Sequence, residues 1–280
     1  MRFQNPLCRG PSGRSAAGID NTISVLLVLG LAACGGDGGR AEQAPGSAVP
    51  AAAEIQGGGA SGYSVVVVTN GGSISGTISF AGEVPAARTI TITDDVDACG
   101  SSVEIQDIEV GDGGGLANVV VSLTDITSGA ARGEAASPPA LDQNGCDFDP
   151  HVVMVAVGAV VEILNSDDVS HNVHTMAFDN RSFNRTQPPA LEKLEATFDV
   201  AEKVAVKCDI HGWMNGWIVV TGHPYHAVTD SDGGFVLSNV PPGTYTLEVW
   251  HEALGATTQA VTVAAGETLD VSVELTQSSP

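Results

Sequence analysis

From residue 63 onward, short runs of β-branched residues alternate with clusters of Gly, Asp, Asn and Pro, and no long apolar pattern of 3.6-residue period develops. The runs include YSVVVV (63–68), SISGTISF (73–80), RTITIT (88–93), ANVVVSL (117–123), HVVMVAV (151–157) and AVVEIL (159–164). KVAVKC (203–208), GWIVV (216–220), TYTLEVW (244–250) and TLDVSVEL (268–275) continue the series. Such a chain is expected to be all-β. About thirteen runs are too many for one small sandwich, so two β-sandwich units are expected. A segment such as PALEKLEA (189–196) leaves room for a helical turn and nothing longer.

The amino terminus reads differently. Arg2, Arg9 and Arg14 precede ISVLLVLGL (23–31), a run too short to cross a hydrocarbon layer that needs about 20 residues. Its length and flanks suit the hydrophobic region of an export signal. Leu31-Ala32-Ala33-Cys34 follows directly and resembles the bacterial lipoprotein signal. That resemblance implies removal of residues 1–33 and attachment of lipid to Cys34. Gly35 carries none of the acidic signal that retains some lipoproteins at the inner membrane, so a periplasm-facing outer-membrane anchor is expected. Residues 34–62 are rich in Gly, Ala, Pro, Gln and Ser, with almost no large apolar side chain, and are expected to act as a flexible tether. The remaining chain is expected to divide into a β region over 63–221 and a second sandwich over 222–280.

The formal charge of the whole chain is −22; without residues 1–33, eight basic residues face 32 acidic ones, a balance of −24. That surface repels nucleic acid and suits a partner with a basic docking face, although solubility alone would also account for it. In an oxidising compartment the cysteines can be counted. Cys8 leaves with the signal and Cys34 is lipidated. Cys99 (VDACGSS) and Cys146 (QNGCDFD) lie in polar, turn-like surroundings suited to a disulfide. Cys208 is then left alone, which calls for burial or a metal.

Its neighbours favour the metal. VKCDIHGWM (206–214) sets Cys208, His211 and Met214 at intervals of three, and NSDDVSHNVHTM (165–176) supplies His171 and His174 from an earlier run. A thiolate with imidazoles selects copper or zinc over hard cations, and two histidines, one cysteine and a weak thioether form the blue-copper electron-transfer set. Three residues apart on a regular strand, His171 and His174 point to opposite faces, so one of them is the candidate ligand. The other histidines carry no such pattern, although His223 and His251 would offer a second weak site if they converged.

With these residues in hand the pattern resembles the cupredoxins, the plastocyanin-like copper proteins. The family's first histidine follows an asparagine-containing turn and precedes Asn-Val, as Asn165 and His171-Asn172-Val173 do here. The resemblance implies His171, Cys208 and His211 as strong ligands of one type 1-like copper ion and Met214 as the axial ligand, with His174 an alternative. It also implies that Asn172 ties the ligand loops together and that an edge of His211 lies near the surface as the electron's exit. Trp213 and Trp217 flank the candidate site in the sequence and are expected to pack around it as apolar shielding, or, for Trp213, to face a redox partner. Two departures stand out. Met214 follows His211 after two residues instead of the usual four, and 150–221 is short for a whole cupredoxin sandwich. A group of exported bacterial plastocyanin-like proteins that join a Cys-Asp-Ile-His-x-Trp-Met segment to a regulatory-like sandwich is similar from about residue 72 to 276.

A second resemblance lies in TDSDGGFVLSNVPPGTYTLEV (229–249), where turns at Asp230–Gly233 and Pro241–Gly243 separate alternating strands. Residues 224–276 are similar to the transthyretin-like sandwich known as a carboxypeptidase regulatory-like domain, which implies a fold and no activity. Residues 72–123 look like the opening strands of a similar unit. A cupredoxin-like Greek-key sandwich and a transthyretin-like sandwich are therefore expected, in sequence or interleaved. The function expected is a lipid-anchored electron carrier of the cell envelope, not an enzyme, passing single electrons between redox proteins. The alternatives are an exported binding or scaffold module with a structural metal or none, and a copper-handling protein.

Overall fold

The computed structural model describes residues 62–277. The expected export signal, Cys34 and nearly all of the expected tether lie outside the described residues. Among the described residues no helix is long and apolar enough to cross a membrane.

The described residues form an almost entirely β structure. Many strands bury one face, with the period of two. Val160–Asn165 alternates between partly and fully buried, and Thr268–Thr276 buries Val271 and Leu275 while its neighbours face water. Which strands meet, however, follows no simple order along the chain. Gly72–Ala81 lies between Gly234–Val240 and Thr268–Thr276, in parallel with the latter, joining residues almost two hundred positions apart. Val120–Leu123 lies between His226–Val228 and Gly243–His251, and Gly255–Val263 closes that sheet. These two sheets enclose one core containing Ile74, Ile78, Val121, Leu123, Phe235, Leu237, Leu247, Val249 and Val261. At about 1.5–3 kcal/mol for each large side chain taken from water, this core holds both halves of a discontinuous sandwich together.

The second sandwich is inserted between those halves. One of its sheets runs Lys193–Thr197, Val160–Asn165, Ala140–Gln143, Phe148–Asp149. The other runs Asn184–Gln187, His171–Met176, Glu202–Lys207, Asn215–Thr221, Val152–Ala156. Leu141, Val161 and Ile163 from the first pack on Val155, Val173, Val204, Val206, Ile218 and Val220 from the second. The boundary expected at residue 221/222 therefore does not divide the molecule: the strands Gly72–Ala81 and Val120–Leu123 fold with residues 225–276, the segment around Cys99 packs on the second sandwich, and the interleaved arrangement is the one found.

The chain's departure and return are pinned side by side. Gly129 is packed so closely that a Cβ there would lie 2.4 Å from the Tyr225 hydroxyl oxygen. That hydroxyl accepts the Ala130 N–H at 2.7 Å, and Tyr63 donates to the Ala130 carbonyl at 2.8 Å. Arg132 then reaches across to the Thr221 hydroxyl (2.8 Å) and the His223 carbonyl (2.8 Å) and meets His226 Nε2 at 2.7 Å. Burial, reinforced by the Arg132 charge, pushes His226 down to about 3, so it stays neutral there.

One local expectation is corrected. PALEKLEA has no helical turn: Lys193–Thr197 is a strand antiparallel to Val160–Asn165, because Leu194 and Ala196 alternate against that sheet. The helical turn found instead is Val96–Cys99, between the paired strands Arg88–Thr91 and Ser102–Ile105.

Candidate metal centre

Asn165 ends its strand by building the next turn. Its Oδ1 accepts the Asp167 N–H at 3.1 Å, and its Nδ2 donates to the carbonyls of Val169 and Gln187 at 3.0 and 2.9 Å. The strand His171–Met176 follows. Alternation puts His171, Val173 and Thr175 on the core side, and Asn172, His174 and Met176 on the opposite face. From the neighbouring strand Glu202–Lys207 the inward series Val204, Val206 continues to Cys208. A seven-residue loop then closes on itself: Cys208 N–H donates to Met214 O (3.1 Å) and Met214 N–H to His211 O (3.0 Å).

Strand and loop bring three donors to one point. His171, Cys208 and His211 offer ligand atoms that all lie within 4.8 Å of one another, at 0, 1 and 1% exposure. The two Nδ1 atoms face each other at 2.9 Å. Cys208 is a free thiol whose sulfur accepts the backbone N–H of His211 at 3.3 Å and of Asn172 at 3.5 Å. Burial pushes His171 below the ordinary imidazole value, outweighing the opposite pull of Asp167, so a neutral ring with a free lone pair is favoured.

The proton positions give the test of fit. His171 Nε2 lies 2.8 Å from an Asp167 carboxylate oxygen, and His211 Nε2 lies 3.1 Å from one of Asp95. A neutral imidazole has one N–H, and a carboxylate at Nε2 holds it there. Both Nδ1 lone pairs then point at each other beside a sulfur that already collects N–H donors. A cation between them relieves that repulsion, and two imidazoles with a thiolate suit copper or zinc.

The surrounding groups fix these donors. Asn172 Oδ1 accepts the Asp209 N–H at 2.6 Å and the Ile210 N–H at 3.2 Å, while its Nδ2 donates to Asn184 at 2.6 Å. One side chain thus binds the His171 strand to the Cys208 loop. Trp213 packs its ring 5.1 Å from that of His211 and donates to the Cys146 carbonyl at 3.0 Å. Cys99 and Cys146 form the expected disulfide, and the Cys99 sulfur lies 3.8 Å from His211 Nε2.

Several expectations change here. His211 has no edge at the surface: the turn Val96–Cys99, Asp95 and the disulfide cover it. His174 faces away from the centre and pairs with Asp209, which Lys207, His174 and Asn184 together hold well below the usual carboxylate range. Met214 is fully buried in the same core as Cys208. Trp217 packs elsewhere than on the three donors: it stacks edge-on to Trp250 at 4.8 Å and donates to Glu252, joining the two sandwiches. His223 lies beside Tyr63 and His226, whereas His251 neighbours Glu252 and His151, so the two do not converge. Asp95 and Asp167 went unrecognised in the sequence. Asp167 lies four residues before His171, a weak hint, but nothing links Asp95 to a histidine 116 positions away.

Parts of the chain are similar to known proteins. A copper-containing nitrite reductase from Thermus scotoductus aligns at 24% identity and a TM-score of 0.29, over 32% of this chain and 24% of its own length. The match therefore spans about a quarter of that enzyme. A reduced amicyanin mutant aligns at 23% identity and 0.28, over 31% of this chain and 86% of its own. A purple cupredoxin from Nitrosopumilus maritimus aligns at 23% and 0.24, over 27% and 82%. No curated protein matches the chain. Residues 217–276 match the family model of the carboxypeptidase regulatory-like domain.

Proposed function

We propose that His171, Cys208 and His211 hold a single copper ion, with Met214 as a weak fourth neighbour, and that the protein relays single electrons between redox partners. The observation that carries this reading is the convergence of one unpaired, buried sulfur and two Nδ1 atoms, each histidine having its other nitrogen committed to a carboxylate. When bound, copper supplies one-electron exchange and a thiolate charge-transfer absorption. The chain's own part is to keep the three donors fixed. Asn172 locks the strand to the loop, and the core around Val173, Val206 and Met214 excludes water. Every donor is at 1% exposure or less and so is shut off from bulk solvent, which supports relay over catalysis.

The same reading places the chain at the cell envelope, anchored through Cys34 to the outer membrane and facing the periplasm. Its excess of acidic residues suits a redox protein with a basic docking face. The test is to load the purified chain with copper and record visible and paramagnetic resonance spectra of wild type and Cys208→Ser. An intense visible band with one copper per chain, absent from the variant, is the expected result. A colourless wild-type protein that binds zinc in preference would instead favour a structural metal.

A further inference from the structure

The two ligand histidines are held by the two ends of one covalent link. Asp167 Oδ1 accepts the N–H of Gly145 at 2.7 Å, and its Oδ2 accepts that of Cys146 at 2.8 Å and meets His171 Nε2 at 2.8 Å. Asp95 opens the turn Val96–Cys99, its carbonyl accepting the N–H of Ala98 and Cys99 at 2.9 Å, and its carboxylate meets His211 Nε2. The Cys99–Cys146 disulfide joins those two anchoring points. Neither carboxylate hangs free, and each addresses a different ring.

We propose that Asp167 and Asp95 are positioning residues that set the redox balance of the centre. Each keeps the proton of its histidine on Nε2, so that Nδ1 is held toward the ion as a lone pair. Each also adds a negative charge behind a ligand, which raises ligand basicity and favours the more highly charged Cu(II) over Cu(I). The inference rests on the copper reading above. Asp167, with its side chain 10% exposed, acts through less water than Asp95 at 42%, so its effect is the larger.

The test uses the copper-loaded full chain as wild type, Asp167→Asn and Asp95→Asn, with midpoint potentials taken by redox titration of the visible band. Both variants should keep one copper and the band. At a fixed ambient potential the Cu(II)/Cu(I) ratio should fall about tenfold in Asp167→Asn, an upward shift of about 59 mV, and less in Asp95→Asn. Intact bands with ratios within twofold of wild type in both variants would overturn the proposal. If Asp167→Asn does not load copper, Asp95→Asn decides: lying on a solvent-facing turn, it should still fold, and an unmoved potential there overturns the proposal. A wild type that takes up copper without the band overturns the reading of the site itself, which separates the two failures.

Discussion

Asn172 offers the sharpest test of how the site is built, because one small side chain serves Asp209, Ile210 and the Cys208 sulfur on one element and Asn184 on another. Replacing it with Ala deletes the acceptor for the Asp209 and Ile210 N–H groups and the donor to Asn184 Oδ1. Each bond is worth about 1 kcal/mol net, giving about 3 kcal/mol for the three. A deserted buried amide would add to that, but Asp209 and Ile210 are exposed enough for water to reach them, so we keep the lower figure. For a domain of this size about 3 kcal/mol corresponds to a Tm lower by about 6–12 °C. Without Asn172 the loop also loses its tie to the His171 strand, and copper affinity should fall about 10–100-fold. Denaturant unfolding of the metal-free protein and competition with a copper chelator measure the two effects separately. A variant within about 0.5 kcal/mol of wild type, binding copper with unchanged affinity, would refute the idea that this side chain holds the centre together.

His171→Ala should abolish tight copper binding while His174→Ala leaves the visible band in place, since His174 is committed to Asp209 on the other face; the reverse result in a copper titration would exchange their roles. The joint between the sandwiches should depend on pH through His151 and Glu252. Burial alone would lower His151, but its bond and charge interaction with Glu252 reverse this and raise it, so its contribution is full below the free value of about 6.5 and fades as pH climbs through the raised one. Glu252 is lowered: burial opposes this, but His151 outweighs it, so its contribution is present above about 4.3 and is lost as pH falls through the lowered value. Glu252→Gln should therefore cost about 2 kcal/mol near pH 6 and progressively less toward either extreme, as read by unfolding curves across pH. Removing the disulfide with Cys99→Ser and Cys146→Ser should destabilise the fold by up to about 4 kcal/mol for its 47-residue separation, in thermal melts compared with wild type.

A strand's alternation reports that one face is buried and is silent on what buries it. That is why the sequence yields an all-β chain, the runs at 151–157, 159–164 and 203–208 as strands, and a free Cys208 beside His211. These are local facts, written in side-chain period and in spacings of three residues. The pairing of Gly72–Ala81 with Thr268–Thr276, and hence the insertion of one sandwich inside the other, is decided by contacts between distant segments whose local pattern would suit several partners. The choice of His171 over His174 needed the strand's face relative to the core, which only the packing of Val173 and Thr175 settles. Most distant of all are Asp95 and the turn that carries it. They cover His211 because the tertiary fold and a disulfide bring residues 95 and 211 together, and no period along the chain encodes that meeting.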